Sequence, residues 1–226
     1  MGTPMQPRLI SSSSGSPQAL LELFPGIWQT AEKISSPNVQ TRKKALYDLR
    51  ETQAARVSPL IAYLLATRIL DPDISFRSIV IEDVSNLMAV DGEGKYADEE
   101  VRSQIIATLS TLDISGLMAL VEAVVWDESQ MSYVSLLVNY VPKAGEMLQE
   151  IVADRAQAIP VRGMAVRLLG HVGYVAALSE LERIQNRLKT RQAGQRSMPF
   201  APTQSHNELE LLPALKHSIT ILRAIS

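Results

Sequence analysis

An Arg, a small or aliphatic residue three places on and an aliphatic residue seven places on recur four times along this chain. The copies are Arg42/Ala45/Leu49, Arg77/Val80/Val84, Arg102/Ile105/Leu109 and Arg162/Ala165/Leu169. A step of three followed by a step of four puts the two apolar positions on one face of a helix. The tenth place is also apolar at Leu87, Leu112 and Val172, whereas Thr52 breaks the rule in the first copy. Met131 takes the Arg position in a fifth copy continued by Val134, Val138 and Val141, and Leu212, Leu215, Ile219 and Leu222 form a terminal one. A helical unit returning at intervals of roughly 25 to 35 residues cannot bury its apolar face alone, and stacking on its neighbours solves that problem. The spacing therefore predicts an all-α solenoid of about five to six helix pairs.

A second set of helical patterns lies between the copies and supplies the partner helix of each pair. It comprises Leu60, Ile61, Leu64 and Leu65; Leu117, Leu120, Val121, Val124 and Val125; Met147, Leu148 and Ile151; and Leu178, Leu181, Ile184 and Leu188. Ser58-Pro59 reads as a cap followed by proline at the first helical position, and Asp71 to Ser75 as a turn before the next helix. Residues 18–226 are expected to form a single domain. Leu20, Leu21, Leu23, Phe24, Ile27, Trp28 and Ile34 would make a capping helix bent near Pro25-Gly26. Residues 1–17, with Ser11-Ser12-Ser13-Ser14-Gly15-Ser16-Pro17, have little to bury and are expected to be a disordered tail. The stretch 190–206, with Gly194, Pro199 and Pro202 and no periodicity, is expected to be a long loop.

Ile159 to Leu181 carries Val161-Arg162, Ala165, Leu169-Gly170, Gly173, Ala177-Leu178 and Leu181 in one run. That run resembles the signature of HEAT repeats, of the HEAT-like or phycobilisome-lyase type, through an inner helix, its glycine stop and the following outer helix. Asp71-Pro72-Asp73-Ile74-Ser75-Phe76-Arg77 resembles the acidic turn and Arg that open an inner helix in such repeats, and Asp98 to Arg102 is a shorter version. The likeness spans about Ser35 to Leu188. It implies a right-handed α-α superhelix, and it implies that Arg42, Arg77, Arg102 and Arg162 are structural, each pairing with acidic turn residues such as Asp71, Asp73, Asp98 and Glu99. The architecture hosts scaffolds, adaptors, phycobilin-lyase subunits and alkyl-base DNA glycosylases alike, so function must be read from side chains.

Formal charge is near balance at −2, cysteine is absent, and apolar runs such as Ala119 to Trp126 are too short to span a bilayer. Those features predict a soluble cytoplasmic protein without disulfides, thiolate metal sites or cysteine nucleophiles. His171, His206 and His217 lack zinc spacing, and Gly92-Glu93-Gly94-Lys95 fits neither a phosphate loop nor a calcium loop. No catalytic, metal or cofactor site is expected. Arg183, Arg187, Lys189, Arg191 and Arg196 form the one basic stretch, with no acid before Asn207.

One and eight places after each key residue lies a row of small polar residues. It reads Lys43/Arg50, Ser78/Ser85, Ser103/Ser110, Ser132/Asn139, Gly163/Gly170 and Pro213/Thr220. The row is either a shallow polar groove with a basic end at Lys43, Tyr47 and Arg50, or a set of small residues that lets helices approach closely. On the first reading the protein is a non-enzymatic scaffold or adaptor that binds a protein partner along its concave face. The alternatives are an enzyme-associated subunit of the phycobilin-lyase kind and a nucleic-acid-binding protein.

Overall fold

The computed structural model describes residues 25–196 and 206–226, and it is all-helical, with no strand among them. The expected tail, and Leu20, Leu21, Leu23 and Phe24 of the expected cap, lie outside the described residues. In chain order the helices are α1 (Pro25–Lys33), α2 (Val39–Glu51), α3 (Ala54–Val57), α4 (Pro59–Thr67), α5 (Ile74–Met88), α6 (Glu99–Leu109) and α7 (Ile114–Trp126). They are followed by α8 (Met131–Val138), α9 (Ala144–Ala153), α10 (Ile159–Val172), α11 (Leu178–Arg196), α12 (His206–Leu209) and α13 (Leu211–Ile225).

Local sequence starts and stops these helices. Asn38 accepts from the N–H groups of Gln40 and Thr41 at the head of α2, Ser58 from Ile61 ahead of Pro59 in α4, Asp73 from Phe76 in α5 and Asp113 from Gly116 in α7. Each side chain satisfies amide groups that the first helical turn leaves without partners. Gly173, at φ 74°, ends α10, and its N–H returns to the carbonyls of the last turn. α11 differs from expectation. It continues through Thr190 to Arg196, well into the stretch read as loop, because residues without an apolar stripe extend a helix whose earlier turns, at Leu181, Ile184 and Leu188, are already packed.

The helices carrying the repeated pattern pack in a series in which α2 meets α5, α5 meets α8, α8 meets α10 and α10 meets α13. Apolar positions of each copy face this core: Leu49, Val80, Val84, Val134, Val138, Ala165, Leu169, Leu215 and Leu222 are buried. One copy departs from the series. α6, which holds Arg102/Ile105/Leu109, packs mainly on α4, while α5 reaches past it to α8. Its Ile105 and Leu109 are fully buried, so the periodic signal is sound, but their partners belong to the other row of helices. α7 then leaves α6 at 106°. No single described helix is long and apolar enough to cross a membrane.

The recurring arginines act largely as structural clamps. Arg42 donates to the carbonyls of Ser36 and Pro37, pairs with Asp71 at 2.9 Å and lies over the Phe76 ring, tying the turn before α2 to the turn before α5. Arg77 reaches Glu122 on α7 at 3.2 Å instead of an acid of its own turn. Arg162 donates to the Val152 carbonyl at 2.9 Å and to Glu208 at 3.3 Å. Arg102 has no ion pair among the described residues; in place of Asp98 or Glu99 it lies 4.7 Å from the centre of the Tyr96 ring.

Close approach explains part of the small-residue row. A Cβ on Gly170 would sit 3.0 Å from the Ser218 backbone and 2.8 Å from its hydroxyl oxygen, so α10 and α13 touch nearly backbone to backbone there. The Ser218 hydroxyl donates to the Val166 carbonyl across the seam at 2.8 Å. Gly145 in α9 lies under the Tyr174 ring in the same way. Gly170→Val should therefore lower unfolding stability by about 1–3 kcal/mol through overpacking. Gly194→Ala, at an exposed helical position with nothing near it, should raise stability by up to about 1 kcal/mol. Urea midpoints of the two variants check this opposition of sign, and a neutral Gly170→Val would contradict the tight seam.

Candidate functional site

The residues expected to line one groove do not share one surface. Ser78 and Ser85 on α5 are 3% and 2% exposed, and both lie inside the helix packing. Ser103 and Ser110 are exposed, but they stand on α6, outside the packing series that holds α2, α5 and α8; the Ser110 hydroxyl bonds back to Ala107. Ser132 and Asn139 are exposed at the two ends of α8. Helical spacing places each serine on its own helix correctly but does not say whether the neighbouring helix covers it, and around α5 neighbours lie on several sides.

Lys43, Tyr47 and Arg50 do form one edge, along α2. Lys43 donates to the Ser75 hydroxyl at 2.9 Å, and Tyr47 is exposed with the Arg50 guanidinium over its ring. Arg50 pairs with Asp83 at 2.5 Å and approaches Glu82 at 3.9 Å, both on α5. Beside this edge a cleft of about 510 Å³ opens between α2, α3, α5 and the connection that follows α5. Leu46, Leu49, Ala55, Leu65 and Leu87 give it an apolar floor, and Val90, half exposed, stands at its rim. Arg50 and Arg56 face three carboxylates, Glu82, Asp83 and Asp91, so the edge expected to be basic borders a cleft with an acidic excess.

Two acids organise that cleft. Asp91 accepts from the N–H groups of Glu93 and Lys95, pairs with Arg56 at 2.9 Å and so fixes the connection against α3, where Arg56 also donates to the Lys95 carbonyl. The Lys95 N–H, together with Glu93 and the two nearby cations, holds the Asp91 carboxyl below its ordinary range. Asp83 shows the opposite behaviour. Burial pushes its carboxyl up to about 6 against the pull of Arg50, and Glu82 adds to the rise. Its Oδ1 accepts from Arg50, while Oδ2 is buried without any donor. A buried carboxylate oxygen in that condition favours the protonated carboxyl, in keeping with the upward shift.

Asp83, Glu82, Asp91 and Arg56 were not among the site residues expected from sequence. The acidic run from Asp91 reads from its composition as an ordinary turn, and nothing in the local pattern joins Asp83 to Arg50, 33 residues away. Among the described residues no group of three or more His, Cys, Asp or Glu side chains is placed to hold a metal ion. The basic stretch expected after Arg183 is not a bare cationic face: Arg183 pairs with Glu180, and Arg191 with Glu208. A comparison with protein-family models, curated proteins and solved structures finds no match for this chain.

The raised Asp83 carboxyl has a definite sign in stability. It binds its proton more tightly folded than unfolded, so its favourable contribution is complete below about pH 4 and is lost as pH rises through about 6. That tighter hold on the proton corresponds to roughly 2–3 kcal/mol. Between pH 4 and pH 7.5 the wild-type protein should therefore lose about that much stability relative to Asp83→Asn, whose side chain does not titrate in that range. Urea denaturation of both proteins across the range measures the difference, and parallel profiles would rule out a raised Asp83.

Proposed function

We propose that this chain is a HEAT-like helical-repeat protein, a solenoid of helix pairs, that works as a non-enzymatic scaffold or adaptor. Its partner-binding element is the cleft between α2, α3 and α5. What supports the repeat reading is the packing series from α2 to α13, together with three buried arginines at equivalent positions that each clamp an acid well along the chain. The skipped layer at α6 makes it an irregular member of that architecture.

The observation that carries the binding reading is the cleft itself: an apolar floor, an acidic excess and an exposed apolar rim at Val90. An extended segment of a partner protein, with a Lys or Arg beside apolar side chains, complements all three. The apolar side chains cover Leu46 and Leu87, and the cation meets the acidic excess of Glu82, Asp83 and Asp91. Tyr47, exposed and held by Arg50, adds a rigid aromatic surface at the edge.

Binding of the purified protein to a peptide array tests this. Retained peptides should be enriched in Lys and Arg flanked by apolar residues. Asp83→Asn should weaken them about tenfold through loss of one carboxylate from the acidic excess. Val90→Lys, at the exposed rim, should weaken them further by repulsion while leaving helicity unchanged. Peptides without a basic preference, or wild-type binding by both variants, would place the partner elsewhere.

A further inference from the structure

The complement of the α2–α3–α5 cleft is one cation beside apolar side chains, and this chain carries such a segment ahead of α1. The charged lining of the cleft is Arg50 and Arg56 against Glu82, Asp83 and Asp91, an excess of one carboxylate. Two further charges on the connection after α5, Glu93 and Lys95, pair with each other at 2.9 Å and leave that balance as it is. Residues 1–24 and 197–205, which lie outside the described residues, contain a single basic side chain, Arg8, and Leu9 and Ile10 follow it directly. An Arg precedes two large aliphatic residues at two other places, Arg68-Ile69-Leu70 and Arg167-Leu168-Leu169. Both of those are spent in the helix packing, with Ile69, Leu168 and Leu169 buried in the core. Arg8-Leu9-Ile10 is the copy that the core does not use.

Chain length allows that copy to reach the cleft. Arg8 stands 17 residues before Pro25, where α1 begins. An extended chain covers about 3.3 Å per residue, so Arg8 reaches about 55 Å from that point. Laid end to end, α1, the turn after it and α2 would span about 50 Å. α1 packs against α2, which brings Pro25 nearer still to the wall formed by Leu46, Leu49 and Arg50. Tethering then multiplies a weak contact. A segment on a short flexible link competes at an effective concentration of about 1 mM, so an intrinsic dissociation constant of about 100 µM is enough to weaken an outside peptide about tenfold.

We propose that the segment around Arg8-Leu9-Ile10 seats in this cleft as an internal competitor, with Arg8 against the acidic excess and Leu9 and Ile10 at the apolar rim by Leu87 and Val90, and that a partner binds by displacing it. The inference concerns the regulation of the partner cleft and rests on the reading of that cleft given above.

The chain has no cysteine, so two introduced thiols report on each other alone. Ser11→Cys combined with Val90→Cys in the full chain, equilibrated in a glutathione redox buffer at pH 7.5, should close an intramolecular disulfide. Adding Arg8→Gln and Leu9→Ser to the same chain should lower the effective concentration of the two thiols about tenfold. In a second measurement, a synthetic peptide of residues 5–12 is titrated into the full chain without cysteines. It should bind about tenfold more tightly to the chain carrying Arg8→Gln and Leu9→Ser than to the wild type, and Val90→Lys should remove binding from both. Disulfide closure that does not depend on Arg8 and Leu9, or a disulfide between two chains in place of one within a chain, overturns the proposal. Equal and measurable peptide affinity of the two chains overturns it as well, because the cleft would then be open in both; binding that Val90→Lys still removes would leave the partner reading standing. Closure that depends on Arg8 and Leu9, with no peptide bound by either chain, supports the seating of the segment and overturns the partner reading instead.

Discussion

A buried guanidinium that leaves its own helix to find an oxygen on another element fixes neighbouring helices of this protein against one another. Desolvating an arginine is expensive, and it is tolerated only where geometry satisfies the charge and most of its donors. Arg42 meets that condition with two carbonyls, one carboxylate and an aromatic face. Arg162 meets it with a carbonyl and a carboxylate. Apolar contacts between helices tolerate sliding, because leucine against leucine is nearly as good one turn away. A fixed donor against a fixed acceptor does not. The clamps therefore select one arrangement among the many that hydrophobic packing alone would permit.

The same logic explains which parts of the architecture are legible in the sequence. Helical faces are written locally: Leu49, Val84 and Leu169 announce burial through spacing alone, and each is buried. Capping is local too, which is why Ser58-Pro59 and the Asp71 turn read correctly. The neighbour of a face is not local. Ile105 and Leu109 have the pattern of the other copies, yet α6 satisfies them against α4. An amphipathic stripe requires a partner and is indifferent to which one, so identical patterns can be spent in different rows. Arg102 carries the one visible trace of the difference, since it stacks on Tyr96 instead of clamping an acid.

The cleft was the least legible part because it is made by contacts between distant segments. Arg50 belongs to α2, Asp83 to α5, Arg56 to α3 and Asp91 to the connection after α5. Read singly, each is an ordinary polar residue on a helix or a turn. Only their meeting over an apolar floor gives Asp83 its burial and leaves one oxygen without a donor. The arginines near the end of α11 are similar: a stretch with no acid of its own is answered by Glu208, which follows almost directly after it in sequence.

The seam between α10 and α13 has a mechanical consequence. Gly170 brings the two helices to close contact, and the Ser218 hydroxyl closes the gap with a hydrogen bond to the Val166 carbonyl, so only the short Ser218 side chain lies between the helices at that point. Packed interiors deform little, and a contact without flexible intermediaries deforms least of all. Displacement of α13 is therefore passed to α10 as a rigid shift and is not absorbed along the way. Because α10 also packs on α7, α8 and α9, a push on the final helix reaches the middle of the molecule in one step.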